Sequence, residues 1–358
     1  MLKKIVMKKN IILFFSLVVM FACSEKIETD KQEIFNYKLH VEELALDVAN
    51  YHFRGLHLLD SNTIWISGTN GVVIHSYDGG TTWKVDSISA AKGLDFRDVH
   101  ALNESTALVV TAGSPGLIFR TSNKGKTWKQ VHANYDSLIF YDGMDFWNDK
   151  EGIVFGDPIN QKLQMLKTID GGQTWYEIDT NFLPKTLPIE AAFAASGTGI
   201  ITLNNNKIYI GTGGEQARFI TSNNKGKTWK YFSTPMLQGT ASKGIYSMAF
   251  KDEPNGVAVG GNWENAECDS SKMYTTDGGK TWHLSQGLQH YRSCVTHVVD
   301  DVYISTGTSG TDISYDGGKS WNFLDSASLN AIQFFPNSLH GISVGSRGKI
   351  VKIKLINL

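Results

Sequence analysis

The chain has 358 residues, with 34 Lys plus Arg against 35 Asp plus Glu for a formal net charge of −1, and it holds 35 glycines. So balanced a charge, with no basic block or arginine-rich helix, argues against binding nucleic acid through its phosphates. Abundant Gly, Thr, Ser, Trp and Tyr and few long helix-forming stretches predict many short strands joined by tight turns, and the length is enough for one large repeat domain.

The chain opens with MLKKIVMKKNIILFFSLVVMFAC, in which two basic clusters precede an apolar run that ends at Ala22-Cys23 and gives way to SEKIETDKQE. That run is short for a membrane span and is closed by a small residue and a cysteine, so residues 1–22 read as a signal peptide, with translation starting at Met1 or at Met7. Cys23 after Met20-Phe21-Ala22 resembles a bacterial lipobox, whose cysteine is lipidated once it becomes N-terminal. Met and Phe are looser than the usual Leu and small residue, and plain secretion with Cys23 discarded is the alternative. Residues 23–34 read as a flexible tether, and the expected location is the bacterial cell envelope, anchored on its periplasmic or surface side.

Residues 35–358 carry an internal repeat. SYDGGTTW at 76–83 recurs as TSNKGKTW (121–128), TIDGGQTW (168–175), SNNKGKTW (222–229), TTDGGKTW (275–282) and SYDGGKSW (314–321). The closing tryptophans, at 83, 128, 175, 229, 282 and 321, are spaced as four-stranded propeller blades would be. The Asp or Asn can fold its side chain onto backbone N–H groups of the turn, the glycines accept positive φ, and the Trp is an apolar plate for packing between blades. Asp78, Asn123, Asp170, Asn224, Asp277 and Asp316 are therefore read as structural.

Upstream of each octad runs an apolar strand, a turn and a second strand, beginning FRGLHLLDSNTIWISG in the first copy and FRDVHALNESTALVV in the second. A seventh copy, LNAIQFFPNSLHGISVGSRGKIVKIKL, stops before any octad and lacks a fourth strand. Phe35–Leu44 is strand-like and can supply it, closing the ring and removing a pair of sheet edges. The expected fold is an all-β, seven-bladed β-propeller closed by an N-terminal strand, with six blades as the alternative if the tail forms none.

These octads resemble the Asp-box, or BNR, repeats of sialidases, sortilin-type receptors and the photosystem II stability/assembly factor family. The whole-chain pattern, with GMDFWNDKEGIVFGDP in the third copy and GTGGEQARF in the fourth, resembles exported bacterial proteins related to the assembly-factor group. Nothing in the chain indicates a photosynthetic host. A redox role sometimes attached to such proteins finds no support, because there is no strand-GxGxxG-helix unit, no CxxC and no CxxCH. No cofactor is expected.

Residues at the start of each innermost strand should line the mouth of the central channel. They are Arg54, Arg97 with Asp98, Asp142, Glu190, Tyr246, Arg292 after Tyr291, and Asn330, while loops between middle strands add Asp157, Arg218, Asn262 with Trp263, and Arg347. The sialidase resemblance would make Arg54, Arg97 and Arg292 a carboxylate clamp, Tyr246 with Glu190 the nucleophile, and Asp142 the acid/base. Against it stand the seven-blade count and the absence of an Arg-Ile-Pro opening at Arg54. A binding mouth for a protein segment, a carbohydrate or another anionic ligand, and simple pairing of these charges with one another, are the other readings. Trp263 in a polar loop could stack on a sugar or a peptide proline.

Cys268 and Cys294 are expected on one face of adjacent blades, where a disulfide would pin the longest loop in an oxidising compartment; two free thiols are the alternative. His57, His100 and His297 form no HExxH or paired HxH pattern, so no metal site is expected. The preferred function is that of a binding or assembly-assisting module anchored to the membrane by lipid. An exo-glycosidase is second, and a redox enzyme is the weakest of the three.

Overall fold

The structure, a computed structural model, describes residues 37–204 and 206–358; the expected signal peptide, tether and lipidated Cys23 lie outside the described residues. Seven sheets, antiparallel apart from a short parallel bridge of Gln286–Gly287 to Ser320–Trp321, make seven blades; in blades 1 to 6 the chain lays down the innermost of the four blade strands first. In blade 1 the strands are Phe53–Leu58, Ile64–Gly68, Val72–Ser76 and Lys84–Ser87. The innermost strands of blades 2 to 7 are Asp95–Asn103, Tyr141–Phe146, Ile200–Leu203, Thr240–Phe250, Cys294–Val299 and Ala331–Phe334. Among the described residues the only helical element is a three-residue 3-10 turn, Ser89–Ala91.

The seventh blade is a composite. Its outermost strand is Tyr37–Glu43, which pairs antiparallel with Ile350–Asn357 from Tyr37↔Asn357 to Glu43↔Val351. The N-terminal strand thus closes the ring, and the six-blade alternative falls. Closure covers the edge of Ile350–Asn357, which another chain could otherwise extend.

Apolar packing lies between the blades. Trp65 and Val73 of blade 1 join Phe96, Val99, Val109 and Phe119 of blade 2 in one buried cluster, and Leu108, Val110 and Ile118 of blade 2 join Met144, Val154 and Leu166 of blade 3 in the next. The octad tryptophans take part: Trp128 meets Trp65 edge-on at 5.8 Å, and Trp282 meets Phe219 at 5.4 Å. Around the axis, polar side chains on the innermost strands stitch neighbours together. Ala101 N–H donates to His57 Nδ1 (3.3 Å), Met144 N–H to Asp98 Oδ2 (2.7 Å), Thr202 N–H to Asp145 Oδ2 (2.6 Å), Val295 N–H to Ser247 Oγ (2.8 Å) and Leu58 N–H to Gln333 Oε1 (2.9 Å). Gly197, at φ +78°, leaves the room that Asp98 occupies, since a Cβ there would sit 2.3 Å from Oδ1.

The octads are built alike. In the first, Gly80 N–H donates to Ser76 Oγ, the N–H groups of Thr81 and Thr82 donate to Asp78 Oδ1 at 3.0 and 2.8 Å, and Thr82 Oγ1 donates to Oδ2 at 2.6 Å. Asn123 accepts from Thr127 N–H and donates through Nδ2 to Thr127 Oγ1, so the amide keeps the same geometry with the last proton reversed. Hydrogen bonds led by that from Thr82 hold the Asp78 carboxyl down at about 2. In Asp316, burial pushes upward, but the bonds from Ser320 and Ser314 outweigh it and the carboxyl is lowered. A carboxylate depressed in the native state stabilises the fold above its unfolded pKa of 3.8, and that contribution is lost as pH falls towards about 2. Thermal melting should accordingly drop steeply over that window. Asp316→Ala should cost about 1–2 kcal/mol, whereas Asp316→Asn, copying the Asn boxes, should melt close to wild type.

Blade 4 departs from the sequence reading. Glu190 does not open an innermost strand: that strand is Ile200–Leu203, reached through a long connection in which Ala191 makes only an isolated bridge to Gly213. The apolar AAFAA segment resembles a strand in composition, but it lines the mouth, with Ala192, Ala194 and Ala195 buried there.

Candidate functional site

Four β-bulges create the mouth of the channel. In blades 1, 2, 3 and 5 the register of the innermost strand slips by one residue between Phe53 and Gly55, Phe96 and Asp98, Tyr141 and Gly143, and Ile245 and Ser247. The residues left without a cross-strand partner are Arg54, Arg97, Asp142 and Tyr246. A bulge re-aims the extra side chain out of the alternation of the strand, and all four line one cavity of about 520 Å³. Phe140, Asp157, Phe193, Trp263, Tyr291 and Asn330 line the same cavity, as does a run of alanines from 191 to 195.

The mouth has three sides. On the basic side, Arg97 Nε donates to Asp95 Oδ2 at 2.8 Å and Arg97 Nη1 to the Ala194 carbonyl at 3.2 Å, while Arg54 Nη1 lies 4.0 Å from the same Asp95 oxygen. Two guanidinium groups thus share one carboxylate. Burial, with Arg97 close by, pulls Arg54 below its ordinary value while Asp95 opposes the shift. On the acidic side, Asp157 Oδ1 accepts from Ala192 N–H at 2.9 Å, and burial lifts this carboxyl to about 6. Asp142 is 1% exposed and neither of its oxygens has a hydrogen-bond partner. The Asp157 N–H beside it spends its bond on the Phe140 carbonyl at 2.9 Å. Burial, then the charge of Asp157, push Asp142 well above the carboxylate range, with Arg97 and the nearby Asp157 N–H pulling the other way. The third side is aromatic: Phe193 stacks on Tyr246 at 3.9 Å, Tyr291 meets Tyr246 edge-on at 5.0 Å, and Trp263 stands 60% exposed at the rim.

Other candidates lie elsewhere. Arg218 is committed to Glu190 through Nε at 2.9 Å and Nη2, and its guanidinium lies over the Tyr231 ring at 4.7 Å. Glu190 also accepts from Thr212 Oγ1 and Leu187 N–H, so it is a buried structural carboxylate and is not coupled to Tyr246. The Tyr246 hydroxyl donates to the Ser242 carbonyl at 2.7 Å, and burial raises its pKa far above that of a free phenol. The Tyr246–Glu190 nucleophile suggested by the sialidase resemblance is not formed. Arg292 is fully buried, donating to Asp312 Oδ2 at 2.7 Å and to Ser309 Oγ, and its Nη2 has no partner. Its buried pairing with Asp312 keeps it out of the mouth, so the three-arginine clamp is reduced to two. Arg347 is exposed at a positive-φ turn of blade 7 and does not line the cavity.

The expected disulfide is absent: Cys268 and Cys294 are both free thiols. Cys294 is buried and directs its Sγ at the Ile332 carbonyl of blade 7 (3.5 Å), whereas Cys268 packs with Phe193, Tyr246 and Tyr291. The two thiols serve different clusters. At the other end of the channel, His57 and His100 meet edge-on at 4.4 Å in a cavity of about 430 Å³ that Asp145, His297 and Gln333 also line. Burial drives His57 down to about 4, in keeping with the acceptor role of its Nδ1. Among the described residues no group of three or more His, Cys, Asp or Glu is arranged to hold a metal ion.

Asp95, Phe193 and the alanine run were not singled out from the sequence. The bulges did leave a trace there: each bulged mouth residue follows a large apolar residue and precedes a short one, as in Phe53-Arg54-Gly55, Phe96-Arg97-Asp98, Tyr141-Asp142-Gly143 and Ile245-Tyr246-Ser247.

Fold and boxes together define a seven-bladed Asp-box propeller with a charged, aromatic-walled mouth. A family model described as photosynthesis system II assembly factor YCF48 matches residues 28–138, and one for the BNR/Asp-box repeat matches residues 273–284. The chain is a BNR-repeat propeller that resembles the photosystem II assembly factors. The photosystem II stability/assembly factor HCF136, chloroplastic, of Oryza sativa subsp. japonica is 20% identical over 255 residues, which cover 65% of this chain and 59% of the rice protein. The match thus spans less than two thirds of that relative. Among solved structures, YCF48 bound to D1 peptide superposes with a TM-score of 0.62 at 13% identity, covering 88% of this chain and 96% of that one. YCF48 from Cyanidioschyzon merolae gives 0.62 at 16% identity, covering 88% and 98%. A catalytically inactive virginiamycin B lyase from Staphylococcus aureus with quinupristin gives 0.65 at 13% identity, covering 89% and 100%. At these identities the likeness is one of fold.

Proposed function

We propose that the protein is a cell-envelope lipoprotein whose propeller is a binding or assembly-assisting module, holding a protein segment by a carboxylate or other anionic group at Arg54 and Arg97. The observation that carries this reading is the set of four bulges that aim Arg54, Arg97, Asp142 and Tyr246 into one cavity. Two arginines sharing Asp95 leave a positive charge to be met by a ligand, and an arginine fork suits a carboxylate. The aromatic wall offers area for apolar side chains next to it. A solved relative of the same fold is described as bound to a peptide, which supports a peptide as the class of partner. A sialidase-like glycosidase is the weaker reading, since Glu190 is bound to Arg218 and the Tyr246 hydroxyl to a backbone carbonyl. A redox enzyme is the weakest reading, since the sequence carries no strand-GxGxxG-helix unit, CxxC or CxxCH motif.

The test is fluorescence anisotropy with N-terminally labelled hexapeptides, each made with a free and with an amidated C-terminus. A charge-assisted hydrogen bond contributes about 1.5–3 kcal/mol, so the free acid should bind at least roughly tenfold more tightly. Arg54→Ala and Arg97→Ala should each erase that preference. Equal affinity for acid and amide, or arginine variants that bind as wild type does, would contradict the reading. Lipid anchoring has its own check: Cys23→Ala should move the protein from the membrane fraction to the soluble fraction.

A further inference from the structure

Resting on the binding reading just given, the acidic side of the mouth needs its own explanation. Asp142 sits at the bulge of blade 3 as Arg54 and Arg97 sit at those of blades 1 and 2, and it lines the same cavity. Its two oxygens are sealed from solvent and neither makes a hydrogen bond of ordinary geometry; the Asp157 N–H, whose bond goes to the Phe140 carbonyl, is near enough only to lower the carboxyl slightly. A buried carboxyl without a partner is costly and uncommon in a native fold unless something else uses it. The structural stitches show what a satisfied acid looks like here: Asp98 accepts from Val99 and Met144 N–H, and Asp145 from Phe146 and Thr202. Asp142 has no such bond. In front of it, Asp157 spends Oδ1 on the Ala192 N–H, while its Oδ2 has no bond and is not sealed from solvent.

We propose that Asp157, backed by Asp142, forms a subsite for a lysine or arginine side chain of the same protein segment whose carboxylate the arginines hold. The ligand is then dipolar, with a basic residue within a few positions of the carboxylate. Such a cation would meet the open oxygen of Asp157 directly and supply the charge that the Asp142 carboxyl lacks. Its alkyl stem would lie along Phe193 and the rim residue Trp263, which suits the amphipathic character of long basic side chains. The aromatic faces add to the attraction of a cation. Arg97, whose charge reaches Asp142, keeps the two halves of the mouth from collapsing into a closed pair because it is already engaged with Asp95 and the Ala194 carbonyl.

The experiment uses the full propeller and three labelled hexapeptides that differ at one feature: one with a lysine two positions before a free C-terminus, one with norleucine in its place, and the lysine peptide amidated. Wild type should bind the lysine peptide about tenfold more tightly than the norleucine peptide. Asp157→Asn, at a partly buried position, should bring those two affinities together while leaving the acid-over-amide preference intact. Asp142→Asn should weaken lysine discrimination in the same direction. Equal binding of lysine and norleucine peptides by wild type, with the acid still preferred over the amide, would overturn the cation subsite and leave the binding reading standing. Failure of all three peptides to bind would remove both. The wild-type comparison decides the matter even if a variant fails to fold.

Discussion

Asp312→Ala is expected to destabilise the propeller by about 3–5 kcal/mol. Asp312 Oδ2 is the shared counter-charge of two buried cations, Arg292 Nε at 2.7 Å and Lys272 Nζ at 3.0 Å, and all three side chains are fully buried. Removing the carboxylate strands two positive charges between blades 5 and 6. The reciprocal change has a different outcome. Burial lowers the Lys272 ammonium, Asp312 opposes this, Arg292 adds to it, and the net value is about 8. A base depressed in the native state makes the unfolded chain the greater proton binder between about 8 and its ordinary 10.5, so this lysine makes stability rise with pH across that window. Lys272→Met should flatten that rise at little cost near neutrality, because it leaves the Arg292–Asp312 pair intact and fills the space with an apolar chain. Denaturant titrations of wild type and both variants at pH 7 and pH 9 separate these effects. Asp312→Ala within 1 kcal/mol of wild type would show that the triad is not dry.

Deleting residues 37–43 should be nearly as damaging. The strand buries Leu39, half-buries Tyr37 and Val41 against blade 7, and pairs along its whole length with Ile350–Asn357. Its loss opens the ring and exposes the edge of the C-terminal strand. We expect a loss of about 4 kcal/mol, or roughly 10 °C in a chain of this size, with concentration-dependent aggregation through the open edge. Moving the same segment behind Leu358 through a two-residue turn should restore the melting temperature, because Tyr37 already stands opposite Asn357 in an antiparallel pair. A truncated chain that melts as wild type does would mean that the closing strand is dispensable.

The architecture was legible because the octad repeats six times and each copy fixes a turn by local bonds within five residues, as Asp78 does with Thr81 and Thr82. Seven blades followed from the unfinished last copy and the strand-like segment before the first. The mouth was legible only in part. Arg54, Arg97, Asp142, Tyr246 and Trp263 were placed there by their position in the repeat, and the cavity contains them. Arg292 and Glu190 were misplaced because position says nothing about partners. Asp312, 20 residues after Arg292, and Arg218, 28 residues after Glu190, claim these charges by pairings that no local pattern announces. Blade 4 was misread for a related reason: an alanine-rich connection and a short strand look alike until the ladder shows which one pairs. The cysteines shared a region of sequence but serve separate clusters.

Whether the mouth holds a partner segment through Arg54 and Arg97 can be read most directly in cells by placing a photo-crosslinking phenylalanine at position 263 on the rim and, as a control, at position 323 on an outer strand of otherwise native protein. A discrete adduct should form from position 263 and disappear when Arg54 and Arg97 are both changed to alanine, with none from position 323. An adduct from position 263 that survives loss of both arginines, or one formed equally from position 323, would contradict binding through the two arginines.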